Sequence, residues 1–470
     1  MGSPGKQGDG VDEKNPYSVL PVGDPHPAIS GTDEPATNVH WLVFTLACAT
    51  SFLLYLHRYS WNIIGPELQD EFAFTNTQAG FLFSLFYYTY AAGQIPSGVI
   101  TDRFGARGVL TTIIAAWSVA LTGIAHTGSL VLLGFWRLLF GATQAGCYPA
   151  LTKISQQWFP PRQRTVMQGW VATTFGRAGG AMSPIILGTL LIGAWGLSWQ
   201  AAITVIGIIG LLHCGIFFAC FRNSPQQDPR VNDAERDLIR GGSTDAPKRD
   251  SETTVLPVGT ALRNNSLRWF TLQQYLDAGS DVVFVSLIGS YFLAAHNFDI
   301  SKTGWLASLP LWGGALGGIA GGWLNDRIIQ QTGNRRWARS GVGCVGKVIG
   351  CAMLALVVLQ SDGVTAAWLL MAAKFFSDWS QPTTWGACTD LGGRFTATVF
   401  SIINTAGTIG GVFMPIVFGF VLDLFTTKTL VDGAEAAITD WNPLFVLLSA
   451  MYLASGACWL LVDCTDRLAD

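Results

Sequence analysis

Two stretches of the sequence, FGRAGGAMSPIILG at residues 175–188 and AGTIGGVFMPIVFG at residues 406–419, align with each other without a gap. They share their glycines and a proline: Gly176, Gly179, Gly180, Pro184 and Gly188 of the first stretch match Gly407, Gly410, Gly411, Pro415 and Gly419 of the second. Small residues at such spacing are typical of helices that pack closely inside a membrane, and a proline bends a helix. The match indicates two similar halves, each with one such packing element.

The composition indicates an integral membrane protein. Hydrophobic residues make up 50% of the 470 residues and charged residues only 13%, about half the charged share of a soluble protein. The mean hydropathy is +0.36. Twelve stretches are long and apolar enough to span a membrane: residues 41–64, 77–100, 109–127, 130–155, 166–192, 199–221, 267–295, 303–325, 338–359, 364–389, 396–425 and 441–462. We predict an all-α fold with 12 transmembrane helices in two pseudo-symmetric six-helix bundles.

The connections divide the chain into four parts. We predict a disordered N-terminal tail at 1–40, an N-terminal six-helix bundle at 41–221, a cytoplasmic linker with an amphipathic helix at 222–266, and a C-terminal six-helix bundle with a short tail at 267–470. Of the connections between spans, the odd-numbered ones contain only two lysines or arginines, Lys302 and Lys428. Because positive residues mark cytoplasmic loops, both termini are expected in the cytoplasm. Val231, Leu238 and Ile239 should form the apolar side of the linker helix.

The sequence carries no signature of an enzyme, a metal site or a nucleic-acid-binding protein. The formal net charge is −3, and the nine cysteines are scattered without the spacing of metal ligands. No nucleotide-binding loop or nucleophile elbow is present. We therefore expect no catalytic residues, no cofactor, no metal and no nucleic acid. We also expect the protein to be a monomer embedded in the lipid bilayer.

Four motifs resemble those of a known transporter family. They are YAAGQIPSGVITDRFGAR at 90–107, RLLFGATQAGCYPA at 137–150, WFPPRQRTVMQG at 158–169 and DPRVNDAERDLI at 228–239. The first contains the loop signature of the major facilitator superfamily, and the four together resemble its anion:cation symporter family, which includes hexuronate and galactonate transporters and vesicular glutamate and sialic-acid transporters. The resemblance implies the major facilitator fold in the cell inner (cytoplasmic) membrane. It also implies alternating-access uptake of a sugar acid or other carboxylate, coupled to protons.

Two arginines are candidates for binding the anion. Arg58 lies about 9 Å from the outer end of the first predicted helix, and Arg137 lies about 10 Å from the start of the fourth. They therefore share a level, and two guanidinium groups suit one carboxylate. By resemblance these are the substrate-anion arginines. The alternatives are snorkelling for Arg58 and a salt bridge to another span for Arg137. Other side chains expected to contact the substrate are Tyr55, Tyr87, Tyr90, Gln94, Gln144, Tyr148, Trp385 and Asn404.

Two positions depart from the family pattern. The family often has Asp directly before the first-helix arginine, where this chain has His57, and Glu seven residues after the fourth-helix arginine, where it has Gln144. Glutamine carries no proton, so the usual proton site of the N-terminal half is missing. His57 titrates in a suitable range and either replaces that site or is a structural histidine.

Charged residues inside the C-terminal half form a second candidate group. Asp277 and Asp281 are four residues apart on the seventh predicted helix, and Lys374 and Asp378 are four apart on the tenth, so each pair shares a helix face. These residues either couple transport to protons or form a static charge network. Arg177 either adds positive potential to the cavity or neutralises an Asp. Lys347 is expected to snorkel.

A loop repeat predicts a conformational gate. Gly98, Asp102 and Arg103 recur as Gly322, Asp326 and Arg327, each set after the second span of its half. By resemblance, Asp102 should close the cytoplasmic side by contact with the start of the eleventh helix near Phe395, with Arg103 and Arg107 in the same cluster and Gly105 in the turn. Alternatively, the charged residues of this loop only fix the orientation of the chain in the membrane. Two other functions stay open: an organophosphate exchanger, and a ligand sensor on a transporter fold.

Overall fold

The computed structural model describes residues 35–160, 163–240, 263–393, 396–431 and 434–468. Nearly all of these residues are helical, and we number the spans 1 to 12 in chain order. The predicted tail up to residue 34 lies outside the described residues. Residues 35–40, which were assigned to that tail, pack against the linker instead, where Asn232 Nδ2 donates to the Pro35 carbonyl oxygen at 2.8 Å.

The N-terminal half contains spans 1 to 6. Their helices are Val39–Tyr59 and Trp61–Phe72 (span 1), Asn76–Phe104 (span 2), Ala106–Ala125 (span 3), Leu130–Gln144 and Cys147–Trp158 (span 4), Arg164–Gly169, Trp170–Phe175, Gly176–Pro184 and Ile185–Ala194 (span 5), and Trp199–Cys220 (span 6). Thr75, Ser129 and Ser198 cap spans 2, 4 and 6 by accepting a backbone N–H of the first turn. A π-helical segment begins directly after Pro184, as expected where proline removes a backbone donor.

The C-terminal half contains spans 7 to 12. Their helices are Asn265–Ser286 and Ile288–His296 (span 7), Ile300–Thr332 (span 8), Arg335–Val358 (span 9), Gly363–Ser377 and Ser380–Gly392 (span 10), Thr396–Leu424 (span 11) and Asn442–Leu461 (span 12). The axes of the two helices of span 7 differ in direction by 52°. An antiparallel hairpin, β1 (Thr426–Val431) and β2 (Ala434–Thr439), connects spans 11 and 12. The sequence prediction contained no strands, so this hairpin was missed.

The apolar character of the helices agrees with a multi-pass membrane protein. Among the described residues, eight helices are long and apolar enough to cross a membrane, and the bent pair of span 7 makes a ninth. Spans 2, 8 and 10 complete the twelve. Span 2 packs against span 11 of the opposite half, and span 8 packs against span 5. Span 10 is broken in the middle, next to buried charged residues.

The glycines of the repeated stretch have equivalent packing roles in both halves. A Cβ on Gly179 would lie 2.1 Å from the carbonyl oxygen of Phe52 in span 1. A Cβ on Gly410 would lie 2.5 Å from the carbonyl oxygen of Tyr275 in span 7. Both distances are too short for any side chain, so glycine is required for the close contact of span 5 with span 1 and of span 11 with span 7.

Hydrogen bonds between the two halves lie at one end of the bundle. We call the end that holds residue 35, the linker helix and residue 468 the tail side, and the opposite end the far side. At the far side, Asn62 Nδ2 donates to the Phe284 carbonyl oxygen at 3.2 Å. There, Asp423 accepts the backbone N–H groups of Asn76 and Thr77 at 3.0 and 2.8 Å.

The linker helix, Asp233–Arg240, anchors the start of span 1. Glu235 is fully buried and accepts the hydroxyl of Thr37 at 2.6 Å and the backbone N–H of His40 at 2.8 Å. Val231 and Ile239 are buried as predicted, but Leu238 is 47% exposed because it points away from the bundle. The helix begins at Asp233, so Val231 precedes it and Ile239 is the buried one of the three apolar residues within it.

Glu235 is expected to hold the tail against the linker over a wide pH range. Burial raises the pKa of this carboxyl, but hydrogen bonds from Thr37 and His40 outweigh burial and bring the pKa below its ordinary value. The contact is therefore fully stabilising above about pH 4.3 and is lost only as the pH falls through the lowered pKa. Glu235→Gln should speed hydrogen exchange of residues 35–40 at neutral pH, whereas the wild-type segment should stay protected at mildly acidic pH. Equal exchange in both proteins would argue against the anchor.

Candidate functional site

Arg58 lies in an aromatic box in the N-terminal half. Its side chain is buried, and Nε donates to Gln144 Oε1 at 3.0 Å. The guanidinium carbon lies 4.6 Å from the ring centroid of Tyr90, 4.9 Å from that of Phe86 and 5.1 Å from that of Tyr55. These rings stabilise the cation through their faces. Nη2 of Arg58 is buried without a hydrogen-bond partner, although buried polar groups are nearly always paired.

Arg137 approaches the same box from span 4 but is held differently. Its Nε donates to the Leu82 carbonyl oxygen at 3.1 Å and its Nη2 to the Phe83 carbonyl oxygen at 2.8 Å, both in span 2. The guanidinium carbon lies 5.5 Å from the ring centroid of Phe86. Both arginines therefore contact Phe86. Backbone carbonyls accept from Nε and Nη2 of Arg137, whereas Nη2 of Arg58 has no hydrogen-bond partner.

Two of the other predicted contact residues, Tyr55 and Tyr90, surround Arg58 together with Gln144, and two more, Tyr87 and Tyr148, lie next to this box. Tyr55 and Tyr148 lie edge to face with centroids 6.4 Å apart, and Tyr87 contacts Gly411 of the opposite half. The remaining three lie apart from Arg58: Gln94, Trp385 and Asn404 make none of the ring or hydrogen-bond contacts that define the box. Trp385 is 57% exposed and stacks on Phe400. Phe86, which sequence reasoning missed, is the ring that both arginines share.

His57 faces away from this box. Its Nε2 lies 3.0 Å from the carbonyl oxygen of Ile206 in span 6, and the ring contacts Gly210 of the same span. Neighbouring residues on a helix point about 100° apart, and here Arg58 points toward Gln144 while His57 points toward span 6. His57 therefore contacts span 6 and lies apart from the other residues of the predicted proton-coupling group.

The C-terminal half contains a buried ion pair that corrects a sequence prediction. Lys347 is fully buried and does not snorkel, because its Nζ pairs with the Asp277 carboxylate and donates to Ser377 Oγ at 2.6 Å. The other oxygen of Asp277 accepts the Ser380 hydroxyl and Gln273 Nε2, both at 3.3 Å. Lys347 therefore has a charged partner and a hydroxyl partner inside the bundle.

A second cluster lies beside it and crosses between the halves. Lys374 Nζ lies 2.8 Å from both oxygens of Asp281 and 2.5 Å from Asp378 Oδ1. Arg177 Nη1 donates to Asp378 Oδ2 and to the Gly314 carbonyl oxygen, both at 3.0 Å. Arg177 therefore neutralises an Asp, one of the two roles considered for it. This ion pair joins the halves at mid-membrane level.

The predicted gate residues do not form one cluster. Asp102 Oδ1 pairs with Lys153 Nζ of span 4 at 3.1 Å, and the partner expected near Phe395 lies outside the described residues. Arg107 donates to the carbonyl oxygen of Phe218 at the end of span 6, and Arg103 lies over Phe104. In the other half, Asp326 and Arg327 are exposed. Gly105 has φ +80°, a conformation that favours glycine at the turn.

A two-fold repeated bundle of twelve spans with charged side chains at its centre defines a secondary membrane transporter. The chain belongs to the Major Facilitator Superfamily, whose family model matches residues 47–415.

The chain is similar to curated transporters in sequence and to a solved structure in fold. The chain is 30% identical over 408 residues to a probable sulfoacetate transporter of Cupriavidus necator, covering 86% of this chain and 93% of the relative. It is 26% identical to a probable galactarate/D-glucarate transporter of Bacillus subtilis, covering 85% and 90%. A bacterial homologue of the lysosomal transporter Spinster, in an inward-facing and unoccupied conformation, has a TM-score of 0.68 at 17% identity, covering 92% of this chain and 95% of that one.

Proposed function

We propose that the protein transports a small organic acid by alternating access, with the acid group bound at Arg58. The observation that carries this proposal is the buried, unpartnered Nη2 of Arg58 inside an aromatic box. An ionised donor in such a place is satisfied by an acceptor that binds from the cavity, and a carboxylate or sulfonate offers suitable oxygens. The substrates named for the relatives, sulfoacetate, galactarate and glucarate, are small acids of this kind.

The contacts between halves support alternating access. Interactions at the far side and at Arg177 would hold the bundle shut there, as in a state open toward the tail side. We place the tail side and both termini in the cytoplasm of a cell whose inner membrane contains the protein as a monomer. The halves in this proposal are 41–221 and 267–470.

Proton coupling is proposed to use the C-terminal half. Gln144 cannot carry a proton and His57 faces span 6, which leaves the carboxylates around Lys374. The side chain of Asp281 is 28% exposed and that of Asp378 is 2% exposed. Asp281 is therefore the carboxylate that protons from the cavity can reach.

Asp281→Asn is expected to abolish the dependence of uptake on a pH gradient while counterflow of labelled acid continues. The reason is that asparagine keeps the size of the side chain but cannot accept a proton. Uptake and counterflow would be measured in proteoliposomes, with Asp70→Asn, an exposed far-side residue, as the control. Gradient-driven uptake that persists in Asp281→Asn would exclude this residue from coupling.

Counterflow also tests the proposed function itself. Vesicles preloaded with unlabelled sugar acids, dicarboxylates or phosphate esters should accumulate the labelled form of a transported acid against its gradient. We expect exchange for at least one carboxylate or sulfonate. Binding without exchange would identify a sensor, and exchange restricted to phosphate esters would identify an organophosphate exchanger.

A further inference from the structure

The interior of the bundle contains more fixed positive than negative charge. Away from both membrane surfaces, the cations are Arg58, Arg137, Arg177, Lys347 and Lys374, and the carboxylates are Asp277, Asp281 and Asp378. Arg177 and the two lysines are paired with these three carboxylates. The cluster that they form is therefore neutral, and the excess lies at Arg58 and Arg137.

The sequence of the N-terminal half has no carboxylate that could cancel this excess. Residues 41–221 include four acidic side chains, of which Glu67, Asp70 and Glu71 follow Arg58 by two to four helical turns at the far side. The fourth, Asp102, lies at the tail side and pairs with Lys153. None of the four is at the level of the two arginines.

The side chain that contacts Arg58 is neutral. Gln144 Oε1 accepts from Arg58 Nε at 3.0 Å, and its Nε2 donates to the Leu54 carbonyl oxygen at 3.2 Å. A glutamate at this position would cancel one charge of the pair, whereas the glutamine leaves both. Arginine keeps its charge at any working pH, so both cations are permanent.

The geometry points to a dianion as the substrate. We propose that the cavity binds an acid with two ionised groups, an inference that rests on the proposed transport of organic anions. One group binds at Nη2 of Arg58, and the second lies in the field of Arg137. The guanidinium carbons of Arg58 and Arg137 lie 4.9 and 5.5 Å from the centroid of the Phe86 ring, so their separation cannot exceed the sum of these two distances. Two permanent positive charges on buried side chains beside one ring favour a ligand that cancels both.

Matched ligands test this inference directly. Succinate and its monoamide succinamate differ by one charge at nearly constant size, as do glucarate and gluconate. Isothermal titration of the purified wild-type protein at about pH 7.5, where both acid groups are ionised, should show at least roughly tenfold tighter binding for the doubly charged member of the pair that fits. Equal affinities alongside active counterflow of an acid would overturn the dianion and leave the transport proposal standing. Absence of binding and exchange for every acid would overturn both.

A variant pair separates charge from packing. Gln144→Glu places a carboxylate beside Arg58, and Gln144→Met removes the hydrogen bond without adding charge. We expect Gln144→Glu to weaken dianion binding by roughly tenfold or more and to bring the two members of a pair to similar affinity, because one cation is then cancelled. Gln144→Met should change the affinities for both members of a ligand pair by the same factor. Identical effects of the two variants would overturn the inference, and the wild-type comparison decides it if either variant fails to fold.

Discussion

Arg58→Ala is expected to weaken acid binding by roughly 100-fold and to abolish uptake, while the protein stays folded in the membrane. Truncating one partner of a buried charged pair costs about 2–5 kcal/mol, and about 3 kcal/mol corresponds to roughly 100-fold. The measurements are isothermal titration with a carboxylate and counterflow in vesicles, after size-exclusion chromatography has shown an intact peak.

Two further variants sharpen this prediction. Arg58→Lys keeps the charge but loses the planar fork of donors, so we expect a smaller loss than for alanine. Arg268→Ala changes an exposed arginine at the start of span 7 and should leave binding within about twofold. Near-normal uptake by Arg58→Ala would remove this residue from the site, whatever the other two variants show.

Lys347→Met is expected to destabilise the protein by about 3–5 kcal/mol, because it leaves the fully buried Asp277 carboxylate without its partner. Adding Asp277→Asn should restore most of the loss, since an amide can still accept from Ser380 without an uncompensated charge. The measurement is the thermal unfolding midpoint of each single variant and of the double variant in detergent.

An exposed ion pair supplies the matched control. Arg236 and Asp233 lie 2.8 Å apart on the linker helix, and Arg236→Ala should change stability by no more than about 1 kcal/mol. A small effect of Lys347→Met, or a double variant that is worse than both singles together, would show that the buried pair does not stabilise the fold as described.

The architecture was predictable because its signals are local. Spans of about 20 apolar residues and a repeated pattern of glycines can be recognised without knowing which helices touch. The roles of Gly179 and Gly410 followed from the repeat alone, and the structure shows both at sites where a Cβ would clash. The loop hairpin had a local signal as well, since Asp432 and Gly433 stand between two Thr-rich or Ala-rich stretches.

The partners of individual side chains were less predictable. Sequence alone cannot tell that Lys347 meets Asp277 of another span, because helix neighbours depend on the packing of the whole bundle. For the same reason, the sequence placed His57 and Arg58 together, although adjacent helix positions face different neighbours. Phe86 gave no signal in advance, since one phenylalanine among many is typical of a membrane helix.

An electron cryo-microscopy structure of the protein with a bound acid, for example glucarate, would show directly whether Arg58 binds the acid group. We expect an acid oxygen within hydrogen-bonding distance of Arg58 Nη2, inside the box of Tyr55, Phe86 and Tyr90. An acid bound elsewhere, with Nη2 of Arg58 still unpaired or turned toward lipid, would contradict it.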